Sequence, residues 1–183
     1  MELRRRNPGA QFQWYEVDGR DAREWLLPDL KAMTQGHCAF CDTFPLEDRT
    51  LESIEHFKPK ADQRFEAHAY DWTNLYFCCG LCQSEKGVSW DDDLLRPDHE
   101  NYRFDAYFQF DYTNGAMTPS SLATEQAINQ AKATIKAYGL DIQERRRMRQ
   151  LELRKWQKSS DRDIDEWAYR DYLQNDAGDN SVS

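Results

Sequence analysis

The stretch that decides the fold opens with His37-Cys38-Ala39-Phe40-Cys41 and closes with Cys78-Cys79-Gly80-Leu81-Cys82-Gln83-Ser84-Glu85-Lys86-Gly87. Two Cys-x2-Cys pairs, separated by 37 residues, supply four thiolates at a spacing that can fill the tetrahedral positions around one Zn2+. Each hook turns both of its sulfurs into one site, and together the hooks tie the ends of the intervening loop. Zinc binding in such sites is worth on the order of 10 to 16 kcal/mol, so the metal is expected to decide whether the segment folds. Cys78 is the odd thiol. Its neighbour Cys79 keeps the spacing to Cys82, and adjacent residues of an extended chain point oppositely, so Cys78 reads as a packed core thiol. Four thiolates leave no open position for water or substrate, which assigns the zinc a structural role.

All five cysteines fall between Cys38 and Cys82, an odd and clustered set that argues against a secreted disulfide framework. The 183 residues suffice for one compact domain with helical extensions. No apolar run approaches membrane-spanning length, the mean hydropathy is −0.95, and the start Met-Glu-Leu-Arg-Arg-Arg has no signal-peptide character, so a cytoplasmic location is expected. Thirty-three acidic against 24 basic residues give a net charge of −9, which opposes unaided DNA binding. Basic residues are nevertheless segregated, at Arg4–Arg6 and along Arg145, Arg146, Arg147, Arg149, Arg154, Lys155 and Lys158. Residues 161–183 carry seven acids and two arginines, which excludes them as a phosphate-binding surface.

Punctuation divides the chain into a helical lead-in (1–36), a Cys/His/aromatic-rich core (37–97), a hairpin with C-terminal helices (98–173) and a frayed tail (174–183). In the lead-in, Asp21-x-x-Glu24 reads as a capping box, Pro28 as an interruption, and Leu30 and Met33 as a continuing stripe to Gly36. Strands are expected at Ser53–Phe57 and Asn74–Phe77, and a hairpin from Tyr107–Tyr112 turning at Asn114-Gly115. Leu122, Ala127, Ile128, Ala131, Ile135 and Tyr138 mark one helix, Asp141-x-x-Glu144 opens a second to about Lys158, and a third runs from about Asp163 through Trp167, Ala168 and Tyr172. The fold class is α+β.

Inside the zinc loop, Ile54-Glu55-His56-Phe57-Lys58-Pro59-Lys60 places a carboxylate beside an imidazole, Tyr70-Asp71-Trp72-Thr73-Asn74-Leu75 follows, and Lys86-Gly87 closes the set. With the two cysteine hooks, these motifs resemble the HNH, or ββα-metal, endonuclease family. The resemblance is nearest to the PtuB-like branch of Septu and retron antiphage systems. It extends through Ala131-Lys-Ala-Thr-Ile135 and Leu140-Asp-Ile-Gln-Glu-Arg145, covering about residues 30 to 155.

The resemblance implies a zinc-stapled ββα-metal core and a metal-dependent DNA endonuclease. His56 would be the general base, work to which an imidazole is suited and which typically contributes about 10² to 10⁴ in rate. Glu55 would bind Mg2+ or Mn2+, Asn74 would hold the loop that carries His56, and Lys86 would contact a phosphate. Relatives usually carry Asn or His after the last cysteine to complete the catalytic metal site, where this chain has Gln83. Its extra methylene opens a second reading, a degenerate scaffold or binding module. His37 could replace a thiolate ligand although four cysteines suffice, His68 and His99 read as loop residues, and Lys58 and Lys60 as phosphate contacts or solvated side chains. The implied partners are DNA and a PtuA-like ATPase, with room for a higher-order hetero-oligomer, and no membrane. The stripe Trp167, Ala168, Tyr172 reads either as a docking face or as packing onto the chain's own second helix.

Overall fold

The computed structural model describes residues 22–46, 52–69, 71–100 and 102–179. Arg4–Arg6, the Asp21 cap, Tyr70 and residues 180–183 lie outside these. Helix α1 (Ala22–Met33) precedes the first cysteine hook. Strand β1 (Glu52–His56) pairs antiparallel with β2 (Leu75–Cys79), which runs directly into helix α2 (Gly80–Lys86). The short α3 (Phe104–Tyr107) leads into a second antiparallel pair, β3 (Phe108–Asp111) with β4 (Ala116–Pro119). Helices α4 (Glu125–Ala137), α5 (Gln143–Lys158) and α6 (Arg170–Asp179) follow. The class is α+β, with two separate two-stranded sheets among the described residues. Among the described residues no helix is long and apolar enough to cross a membrane.

β2 is the centre of the core. All five of its residues are buried, because α1 covers one face and the loop after α2 brings Leu94 and Leu95. Helix α4 adds Ala131 and, just past its end, Tyr138, whose ring stacks on Phe40 at 3.9 Å between centroids. Thr134 on the same face accepts the Leu95 N–H through its hydroxyl at 2.9 Å. A second cluster joins Leu153 of α5 to Ala168, Tyr169, Tyr172 and Leu173. Tyr172 also stacks on Tyr112 and meets Phe110 edge-on, which ties the hairpin to the C-terminal segment.

Both strand pairs and the Asn114-Gly115 turn form where the alternation predicts them. Gly115 needs its freedom: its φ is +73° and any β-carbon there would run into the Arg146 carbonyl. Elsewhere packing overrides the local signals. α1 passes Pro28 without a break, since Pro28 lies on the exposed face while Leu26 and Leu30 on either side are buried. Burying two leucines is worth about 1.5–3 kcal/mol each, which offsets the roughly 3 kcal/mol that an interior proline costs. Leu122 lies before α4 and is 94% exposed, outside the buried face; Thr124 is the actual cap, its hydroxyl accepting the Ala127 N–H. Asp141 does not cap α5. Its carboxylate accepts the Met117 N–H and pairs with Arg146, fastening β4 to α5 instead.

The third predicted helix is interrupted. A 3-10 turn over Ile164–Glu166 is followed by extended Trp167 and by Tyr169 at φ +59°, and α6 begins only at Arg170. Two groups hold the break: Asp42 takes the Tyr169 N–H on its carbonyl and the Arg170 N–H on its carboxylate, at 2.9 and 2.7 Å. α6 then continues to Asp179, through part of the stretch expected to fray. Ala168 and Tyr172 are buried in the chain's own second cluster, and Trp167 packs edge-on against Trp156 of α5. This stripe is therefore internal packing.

Candidate functional site

The two hooks meet as their spacing requires. The first lies in the loop after α1, where the Cys38 N–H donates to Thr43 O and Asp42 N–H to Cys38 O. The second spans the junction of β2 and α2, and the Cys79 sulfur accepts the Cys82 N–H as the cap of α2. All four sulfurs lie within 4.8 Å of one another. Four sulfurs about 2.3 Å from a central Zn2+ would be about 3.8 Å apart at the edges of the tetrahedron. Cys38 and Cys82 are separated by 3.8 Å, and Cys41 and Cys79 by 3.7 Å. The donor set and its dimensions fit a metal ion such as zinc.

Neighbouring groups complete the cluster. The Cys79 N–H points at Cys38 Sγ (3.3 Å), and the Thr43 hydroxyl lies 3.1 Å from Cys41 Sγ. The Arg145 guanidinium on α5 reaches Cys82 Sγ at 3.1 Å. Cys78 is fully buried, and burial pushes its thiol well above the usual range, as befits a core thiol. His37 is not a fifth ligand. It is buried under the Phe44 ring, with Nδ1 3.1 Å from Gln35 O and Nε2 3.1 Å from Trp167 O.

β1, β2 and α2 form a ββα unit beside the cluster, and this unit positions the acid and the histidine. Strand alternation sends their side chains in different directions. Glu55 turns to α2, where its Oε1 lies 2.5 Å from Lys86 Nζ. His56 turns to the loop, where its Nε2 lies 3.0 Å from Ala69 O. A carbonyl only accepts, so Nε2 carries the ring proton and the lone pair of the neutral ring is on Nδ1. Burial, reinforced by the Lys60 and Lys86 charges and opposed by the Ala69 carbonyl, lowers the imidazole to about 4. Burial likewise pushes the Glu55 carboxyl up to about 7, with Lys86 pulling the other way.

Asn74 bridges the two ends of the loop that follows β1. Its Oδ1 accepts the Lys58 N–H at 2.7 Å, and its Nδ2 donates to Lys58 O and His68 O at 3.0 Å, pinning both ends of the 58–68 loop. Lys86, expected at a phosphate, is buried rather than presented to solvent. Its side chain is 0% exposed, and beyond Glu55 it donates to His56 O at 2.9 Å, so it is an internal strut between α2 and the end of β1. Gln83 is exposed but occupied: its Oε1 accepts from Ser53 Oγ at 2.5 Å and its Nε2 donates to Ile54 O. Lys58 Nζ lies 3.3 Å from His68 Nε2, and His68 faces Asp71, so these form a local cluster at the loop mouth. Glu55, Lys86 and Gln83 are thus gathered on the β1–α2 seam, while the imidazole serves the loop side.

From the sequence, Arg145 and Arg149 count only as members of a basic segment and are not placed inside the protein. Both are buried, and the signal was their spacing of four with Leu153 following at four more, a charged pair on the apolar face of α5. No family profile and no curated protein sequence matches this chain.

Proposed function

We propose that this chain is a DNA endonuclease of the HNH type, built on a zinc-stapled ββα core and working as the nuclease subunit beside an ATPase in an antiphage complex. The observation that carries the reading is the state of His56. Its Nε2 proton is committed to a backbone carbonyl, its ring is neutral at physiological pH, and Asn74 fixes the loop around it. A neutral imidazole with its lone pair on Nδ1 is the form a general base needs to take a proton from water attacking a phosphodiester. Zinc in the four-cysteine cluster would hold the two hooks, and with them β2 and α2, in register beneath that base.

The catalytic cation is another matter. Glu55 and Gln83 would hold Mg2+ or Mn2+, which would neutralise charge developing on the phosphate. Glu55 Oε1 is engaged by Lys86 and Gln83 Oε1 by Ser53, so the two side chains are not arranged to hold the ion together as they stand. That observation favours a second reading, a zinc-stapled binding or scaffold module of the same complex.

Plasmid nicking by the purified chain in Mg2+ or Mn2+, against EDTA and against His56→Ala with matched zinc content, separates them. Cleavage that needs the cation and is lost in His56→Ala is expected of the nuclease. Silence of the chain together with its ATPase on DNA would overturn it. Gln83→Asn, which gives up the Ser53 contact for a shorter amide, is expected to raise cation affinity and nicking together.

A further inference from the structure

Arg145 has no part in the chemistry above, yet its position is costly. It is 2% exposed, its Nη2 lies 3.1 Å from Cys82 Sγ and 3.8 Å from Cys79 Sγ, and its Nε has no acceptor among the described residues. No carboxylate pairs with it among those residues. Burying a guanidinium without a counter-charge costs several kcal/mol, so the sulfurs have to supply the negative charge. Four thiolates around a divalent ion carry a formal net charge of −2, itself unfavourable in a buried site. One guanidinium halves it. The backbone N–H of Cys79 and of Cys82 and the Thr43 hydroxyl offer dipoles to the same sulfurs, but Arg145 brings a full charge, from 63 residues beyond Cys82.

We propose that Arg145 is the charge-compensating positioning residue of the four-cysteine centre: its guanidinium offsets the negative charge at Cys79 and Cys82 and sets how tightly the centre retains zinc. The proposal rests on the reading of the cluster as a zinc site. Linkage makes the contact reciprocal, so zinc that strengthens the counter-charge of Arg145 holds α5 on the core by the same factor. The metal then staples the C-terminal helices as well as the two hooks.

The test uses the full chain with zinc alone as the probe. Zinc content and affinity are measured by competition with a chromogenic chelator for the unmodified protein, Arg145→Lys and Arg145→Gln, with helical content monitored in each. Lys keeps the charge as a point, Gln keeps a donor without charge. Loss of a group that orients a metal ligand typically weakens binding about 10- to 100-fold, and this is the loss expected for Arg145→Gln. Arg145→Lys, which keeps the charge, should lose distinctly less than Arg145→Gln. Iodoacetamide should alkylate the zinc-loaded Gln variant faster, because its sulfurs lose the cation that draws on their electron density, and hydrogen exchange in α5 should rise with it. Equal affinity of Arg145→Gln and the unmodified chain overturns the proposal. So does equal weakening of both variants, or failure of both to fold in excess zinc, since Lys retains the charge and the role would then be packing. An unmodified chain that binds no zinc overturns the metal reading itself, and the proposal with it.

Discussion

The Lys86 ammonium lies 2.5 Å from Glu55 Oε1, and neither side chain is more than 4% exposed. Removing one member of such a pair leaves the other charge buried alone, at a cost of about 3–5 kcal/mol. Glu55 can evade part of that cost by binding a proton, because burial has already moved its carboxyl up to about 7. A carboxyl raised in the folded state contributes its stability at low pH and loses it as pH rises through the folded value. Lys86→Met is therefore expected to cost about 3–5 kcal/mol at pH 8 and distinctly less at pH 6. Adding Glu55→Gln should remove the difference between the two, as read by urea unfolding.

His56 moves the other way. Burial lowers its imidazole to about 4, so the folded protein resists a proton that the unfolded chain accepts near pH 6.5. Stability from this group is complete above about pH 6.5 and is lost as pH falls towards 4, in total about 3 kcal/mol. An imidazole resonance titrating near pH 4, and a shallower acid limb of unfolding in His56→Gln, are the expected observations.

Asn74→Ala strips three hydrogen bonds from the Lys58 and His68 backbone in a site the asparagine alone fills. Unpaired buried backbone groups cost about 1–3 kcal/mol each, and some will find water, so a loss of about 2–4 kcal/mol is expected. Hydrogen exchange should rise across residues 57–69 before it rises in β2. Asn74→Asp keeps the acceptor and forfeits both donors, and should fall between.

Asp42 serves two masters, with its backbone at φ +57° and its carboxylate across the Arg170 fork. Asn tolerates that backbone and keeps an acceptor, so Asp42→Asn is expected to cost about 1–2 kcal/mol. Asp42→Ala adds backbone strain and leaves the Arg170 N–H unpaired, and should cost about 2–4 kcal/mol. Thermal unfolding measures both, with Trp167 fluorescence reporting release of the segment.

Where periodicity and packing agreed, the sequence was a sufficient guide. The two cysteine hooks, the strand pair around Phe77 and the hairpin at Asn114-Gly115 all stand where spacing and alternation put them. Asn74 bonds the backbone of Lys58 and His68 at either end of the loop after β1. Long-range contacts account for the rest. Pro28 could not reveal that buried leucines would carry α1 past it, and the helical spacing from Ile164 to Tyr172 could not reveal that Asp42, some 130 residues earlier, would bend the chain at Tyr169. Lys86, expected at a phosphate, could not reveal from its place in the sequence that its partner sits 31 residues away on a strand whose outward face α2 covers.

The clasp between Asp42 and Arg170 has a consequence for the order of assembly, because its halves lie 128 residues apart in the chain. A chain made from its N-terminus has all four sulfurs once Cys82 is synthesised, long before Arg170 exists. The nascent protein can thus close its metal knot early while the first hook still lacks its latch. Only the last stretch of translation supplies that latch, so a message truncated before codon 170 would yield a product able to gather metal but left ajar.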